Sequence, residues 1–170
     1  MTRSLVLATD SARSTRDLAA TIAARCVPGD VLLLFGDLGA GKTTFTQGFG
    51  RALGIDEPVT SPTFTLVRQY GVDGGPDGVR TLIHADVYRL DHLAEIADLG
   101  LGQLVEDGGV AVVEWGDAAE PVLGDGALRV RLEADPDDDG RRTVLVAADG
   151  PAWASRWPEL VSALDRWTSG

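Results

Sequence analysis

Apolar residues recur along this chain in short blocks, and the spacing inside each block predicts its element. Residues 5–8 read as a short strand, followed by Ser, Thr and Asp as candidate caps, and then Leu18, Ala19, Ile22 and Cys26 recur at helical spacing. Pro28-Gly29-Asp30 breaks that pattern. Val31–Phe35 (VLLLF) is uninterrupted apolar sequence, as in a strand buried on both faces of a sheet. Residues 36–41 form a Gly-rich turn, and 42–53 read as a helix ending near Gly54.

Further strands are predicted at 65–70, 81–86, 110–114, 128–133 and 143–148. A short helical stretch is expected at 92–98, and GVDGGPDG (71–78) and DPDDDG (135–140) carry turn chemistry. At the C-terminal end Trp153, Trp157, Leu160, Val161, Leu164 and Trp167 make a stripe that predicts one amphipathic helix over 151–170, docked on the sheet or offered to a partner. Strands interleaved with helices make the chain α/β, a mostly parallel or mixed sheet flanked by helices with a hairpin-rich C-terminal part. At 170 residues, one domain spanning 1–170 is expected.

Charge narrows the partners. A formal net charge of -11 repels a phosphate backbone, so direct binding of DNA or RNA is not expected, and any link to nucleic acid should run through a partner protein. The single cysteine, Cys26, excludes an intramolecular disulfide and fits a buried thiol in a reducing compartment. No apolar run approaches the length of a membrane span, so a cytoplasmic protein with no membrane partner is expected. Fourteen of the fifteen basic residues are Arg, the one lysine is Lys42, and Asn is absent, a bias that a G+C-rich genome would produce. The surviving lysine therefore invites a chemical reason.

That reason lies in Gly36-Asp37-Leu38-Gly39-Ala40-Gly41-Lys42-Thr43, a match to GxxxxGK[ST] set between an apolar strand and a helix. In this P-loop pattern glycines turn N–H groups toward phosphates, and the next helix adds its positive dipole end. Lys42 supplies a compact charge to the β- and γ-phosphates, which a planar Arg fork does poorly. Thr43 offers a hydroxyl to Mg²⁺. An acidic partner is also needed, and two acids end buried-type strands: Asp86 and Glu114. Either could instead be a strand-end cap or an ion-pair partner. His84 could orient Asp86 or be a satisfied core histidine, and Arg89 could face phosphate or sit in a surface ion pair. Thr60-Ser61-Pro62-Thr63 could sense a γ-phosphate or simply connect a helix to a strand.

GDLGAGKTTF, SPTFTLV, HADVYRL and VVEW, in that order over about residues 10–117, together resemble the TsaE family, the ATPase of bacterial tRNA threonylcarbamoyladenosine synthesis. The resemblance implies a P-loop NTPase fold, ATP and Mg²⁺ as cofactors, and TsaD and TsaB as partners. It implies that Gly39, Ala40, Gly41, Lys42, Thr43 and Thr44 wrap the phosphates, that Thr43 and Glu114 hold Mg²⁺, and that Asp86 assists hydrolysis. It also implies that the strand-to-helix turn near Asp10 and Ser11, with Trp115 and Asp117, lies toward the adenine side.

Two rivals differ in class. A small-metabolite kinase would need an Arg-bearing lid, for which Arg141-Arg142 is the one Arg pair in the chain. A non-enzymatic guanine nucleotide switch would need a second lysine beyond the P-loop for the usual base-reading motif, and the sequence has none.

Overall fold

The computed structural model describes residues 2–59, 67–73, 76–86, 100–123 and 125–168. The apolar runs become strands: β1 (Arg3–Thr9), β2 (Val31–Phe35), β3 (Val67–Gly71), β4 (Thr81–Asp86), β5 (Gly109–Glu114), β6 (Leu128–Asp135) and β7 (Asp138–Ala148). They join in one sheet of order β1-β7-β6-β2-β5-β4-β3. The pairs β2/β5, β2/β6 and β4/β5 are parallel, whereas β3/β4, β6/β7 and β1/β7 are antiparallel. The sheet is mixed.

Alternation along β2 shows why its sequence is apolar throughout. Leu32 and Leu34 enter one core cluster, Leu33 and Phe35 the other, so every position meets a covering layer. The first face is covered by α1 (Ala12–Ala23), α2 (Lys42–Ala52) and the C-terminal segment, the second by α3 (Leu101–Glu106) and α4 (Gly116–Leu123). Helix α1 starts where the Ser11 hydroxyl accepts the Ser14 N–H at 3.0 Å. It ends at Ala23, so Cys26 lies in the following turn, buried, with its thiol on the Ile22 carbonyl.

Several expectations need correction. Helices α3 and α4 have no counterpart among the elements expected from sequence, the second because Pro121 lies within it. The acidic turn expected over 135–140 is tighter, since β6 runs to Asp135 and β7 begins at Asp138. The expected C-terminal helix over 151–170 is in fact α5 (Pro151–Ala154), α6 (Trp157–Ala163) and a 3₁₀ turn at Asp165–Trp167. Pro158 explains the first break, because it cannot donate the N–H that would continue α5. Arg156 reinforces it by turning its guanidinium onto the Asp30 carboxylate, at 2.7 and 2.8 Å. Trp153, Leu160, Leu164 and Trp167 are nonetheless buried against the sheet. The helix expected at 92–98, with His92, Tyr88 and Arg89, lies outside the described residues, as do residues 60–66.

Candidate nucleotide-binding site

Residues 36–41 leave the end of β2 and wind into α2 with the conformations a phosphate loop needs. Gly41 sits at φ 109°, left-handed space that favours glycine, and it is the N-cap of α2. Gly36 lies so close under β6 that a Cβ there would stand 2.6 Å from the Leu132 carbonyl oxygen. The first hydrogen bond of α2 runs from Phe45 N–H to Gly41 O, so the N–H groups of residues 42–44 lie ahead of the helix ladder, at its positive end.

Lys42 folds back over this loop. Its ammonium donates to the carbonyls of Gly36 at 2.5 Å and Asp37 at 3.0 Å and lies 4.1 Å from the centroid of the Trp115 ring. Burial pushes the Lys42 ammonium below the usual lysine range, although Glu114, Asp86 and Asp37 pull it the other way. Trp115 reaches this position from a backbone φ of 62°, a strained conformation for a bulky residue, on the order of 1–3 kcal/mol.

The parallel pairing of β4 with β5 sets Asp86 directly beside Glu114. Side chains alternate along each strand, so His84 and Asp86 share the α1/α2 face with Val112 and Glu114. His84 thereby meets Glu114 rather than Asp86: Nε2 to Oε2 is 2.6 Å, with both residues almost wholly buried. A carboxylate accepts, so Nε2 carries the proton, and Nδ1 is left buried without a hydrogen-bond partner. One cleft of about 380 Å³ is lined by Leu38, Gly39, Gly41, Lys42, Thr43, Thr44, Asp86, Glu114, Trp115 and Arg142. Thr43 is exposed to it.

Not all expected residues converge there. Ser11 caps α1 beside a smaller cleft formed by Ala12, Thr15, Gly41, Thr44, Asp139, Gly140 and Arg142. Asp117 lines a third, with Gly36, Asp37, Leu38 and Arg131, where Leu38 stands exposed at the loop tip. Ser11 and Asp117 therefore do not share a cleft. Arg142, weighed in the sequence only as part of an Arg pair, donates to the Ala40 carbonyl at 2.8 Å and the Gly39 carbonyl at 3.3 Å.

The donor set fits a magnesium nucleotide. Among the described residues no cluster of three or more His, Cys, Asp and Glu could hold a metal alone. Mg²⁺ typically takes one or two carboxylates and completes its shell with water and substrate phosphates, and Thr43, Glu114 and Asp86 offer that kind of partial site.

Comparison with known proteins identifies relatives over most of the chain. The family model for the threonylcarbamoyl adenosine biosynthesis protein TsaE matches residues 9–144. The tRNA threonylcarbamoyladenosine biosynthesis protein TsaE of Bacillus subtilis is 43% identical over 146 residues, covering 86% of this chain and 87% of its own. That of Streptomyces coelicolor is 40% identical over 144 residues, covering 82% and 94%. The crystal structure of Bacillus subtilis YdiB superposes with a TM-score of 0.73 at 36% identity, covering 98% of this chain and 97% of that one. With a GxxxxGK[ST] loop between β2 and α2, two acids on adjoining parallel strands, and this likeness over most of its length, the chain belongs to the TsaE family of tRNA threonylcarbamoyladenosine biosynthesis.

Proposed function

We propose that the chain binds ATP with Mg²⁺ and hydrolyses it, acting with TsaD and TsaB in the cytoplasm to form the threonylcarbamoyl group on the adenosine beside the tRNA anticodon. The observation that carries this reading is the single cleft holding Lys42, Thr43, Asp86 and Glu114 at the start of α2. Lys42 draws the β- and γ-phosphates, moving from the loop carbonyls it now contacts. Thr43 and Glu114 hold the metal, which neutralises charge developing on the phosphates. Asp86, beside Glu114, orients the attacking water, and His84 fixes the Glu114 carboxylate from behind. Arg142 speaks against the kinase reading, because four hydrogen bonds tie it to backbone carbonyls where a lid arginine must move.

Calorimetry with ATP and steady-state phosphate release, each with and without TsaD and TsaB, test the proposal. Wild type should bind ATP and turn over slowly alone, faster with the two partners. Lys42→Ala should lose on the order of 2–4 kcal/mol of binding. Glu114→Gln should keep most affinity but lose turnover, since the amide lacks the charge the metal requires. Unchanged affinity in Lys42→Ala removes the P-loop assignment. An ATPase indifferent to the partners, with tRNA modification cycling in its absence, removes the partnership.

A further inference from the structure

We propose that Arg142 is a positioning residue for the phosphate loop: from β7 it holds the peptides of Gly39 to Gly41 in the orientation a polyphosphate needs, and it keeps an unneutralised positive charge beside them. The inference rests on the nucleotide-binding reading above and adds a residue to it.

The guanidinium uses its planar fork against four backbone carbonyls. Nε donates to Ala40 O at 2.8 Å and Nη2 to Gly39 O at 3.3 Å, while Nη1 donates to Asp139 O at 2.6 Å and Arg141 O at 2.7 Å. One side chain thus fastens the start of β7 to the loop across 102 residues of chain.

In a trans peptide the carbonyl and the following N–H point in opposite directions. Anchoring the Ala40 carbonyl from outside therefore fixes the direction of the Gly41 N–H at the start of α2. The preceding peptide is held from both ends, its carbonyl by Arg142 and its N–H by Asp37 O at 3.0 Å. These glycines have no side chains to pack, so a contact to their backbone is the direct means of fixing them.

The partners are neutral carbonyls and not carboxylates, so the charge of Arg142 is not cancelled by its own contacts. That charge lines the cleft containing Lys42, Thr43, Asp86 and Glu114 and the smaller cleft containing Thr15, Gly41 and Thr44. A lysine would restore the charge but cannot span two successive carbonyls in one plane.

The test uses the full chain and two readouts. Calorimetry with ADP compares wild type with Arg142→Gln, Arg142→Lys and, as a control, Arg141→Gln, whose side chain is exposed and 4.0 Å from its nearest acid, Asp138. Amide hydrogen exchange on nucleotide-free protein compares residues 39–42 with β2 and β5. Expected are about tenfold or more weaker ADP binding in Arg142→Gln, an intermediate loss in Arg142→Lys, and none in Arg141→Gln. Faster exchange should be confined to 39–42. ADP affinity within about twofold of wild type in folded Arg142→Gln, or faster exchange spread through the sheet, overturns the inference. The exchange measurement decides it even if wild-type protein binds no ADP, a result that would instead overturn the nucleotide-binding reading.

Discussion

The Lys42 ammonium is desolvated, which lowers its proton affinity below the ordinary value of 10.5, while bound phosphate would favour the charged form and raise it again. Between those two values the complex holds a proton that the free protein has lost. Nucleotide affinity should therefore be full below the free-state value and fall as pH rises through it, at lower pH than an ordinary lysine would give. The same group acts on stability with the opposite sign: its folded value lies below the unfolded one, so the nucleotide-free protein gains stability as pH rises across that window. Calorimetry in two buffers of different ionisation enthalpy should record proton uptake on ADP binding at alkaline pH. Proton release, or affinity constant up to the ordinary lysine range, would contradict this account.

At the scale of elements, a buried carboxylate fastens the C-terminal segment through Arg156. Asp30 is nearly buried, and besides Arg156 its carboxylate accepts the Val27 N–H at 2.8 Å. Arg156 also lies over the Trp153 ring at 3.8 Å and donates to Arg25 O. Arg156→Ala would strand the carboxylate, and since the arginine is itself partly exposed we expect a loss of about 2–4 kcal/mol, measured by urea unfolding. An unchanged midpoint would show that the tail is held without this pair, by its apolar burial and by the Trp167–Ser14 hydrogen bond. The strands and the P-loop are legible in the sequence because their signals are local: VLLLF announces a strand covered on both faces, and GxxxxGK[ST] announces its loop. The tail departs from its expected single helix because an apolar stripe continues through Pro158, and the stripe does not report where the hydrogen bonds stop. The pairing of His84 with Glu114 depends on the register of two strands, and the contact of Arg142 with Ala40 on the closure of a hairpin 102 residues away. Neither is a property of a short window of sequence.

At the scale of the whole molecule, a net charge of -11 coexists with a proposed phosphate loop that carries Lys42 and Arg142. The two demands are compatible because Lys42, Arg142 and the start of α2 act over a few ångströms, whereas a tRNA would meet the summed field of the surface. Among the described residues no helix is long and apolar enough to cross a membrane. We expect the isolated protein to leave labelled tRNA unshifted in a gel at physiological salt, with tRNA retained once TsaD and TsaB are present. Micromolar retention by the protein alone would require a basic surface that the charge does not suggest.

The sheet order also governs when this molecule can form. β1 is an edge strand whose sheet neighbour is β7, so residues 3–9 pair with 142–148 while the parallel strands and P-loop lie between them in sequence. During synthesis β1 waits unpaired until residues 138–148 have left the ribosome, and closing so long a loop is slow. Arg142 arrives on that same late strand. A nascent chain halted before it carries the P-loop without its anchor, so if Arg142 positions that loop as proposed, competence for nucleotide is among the last properties the chain acquires.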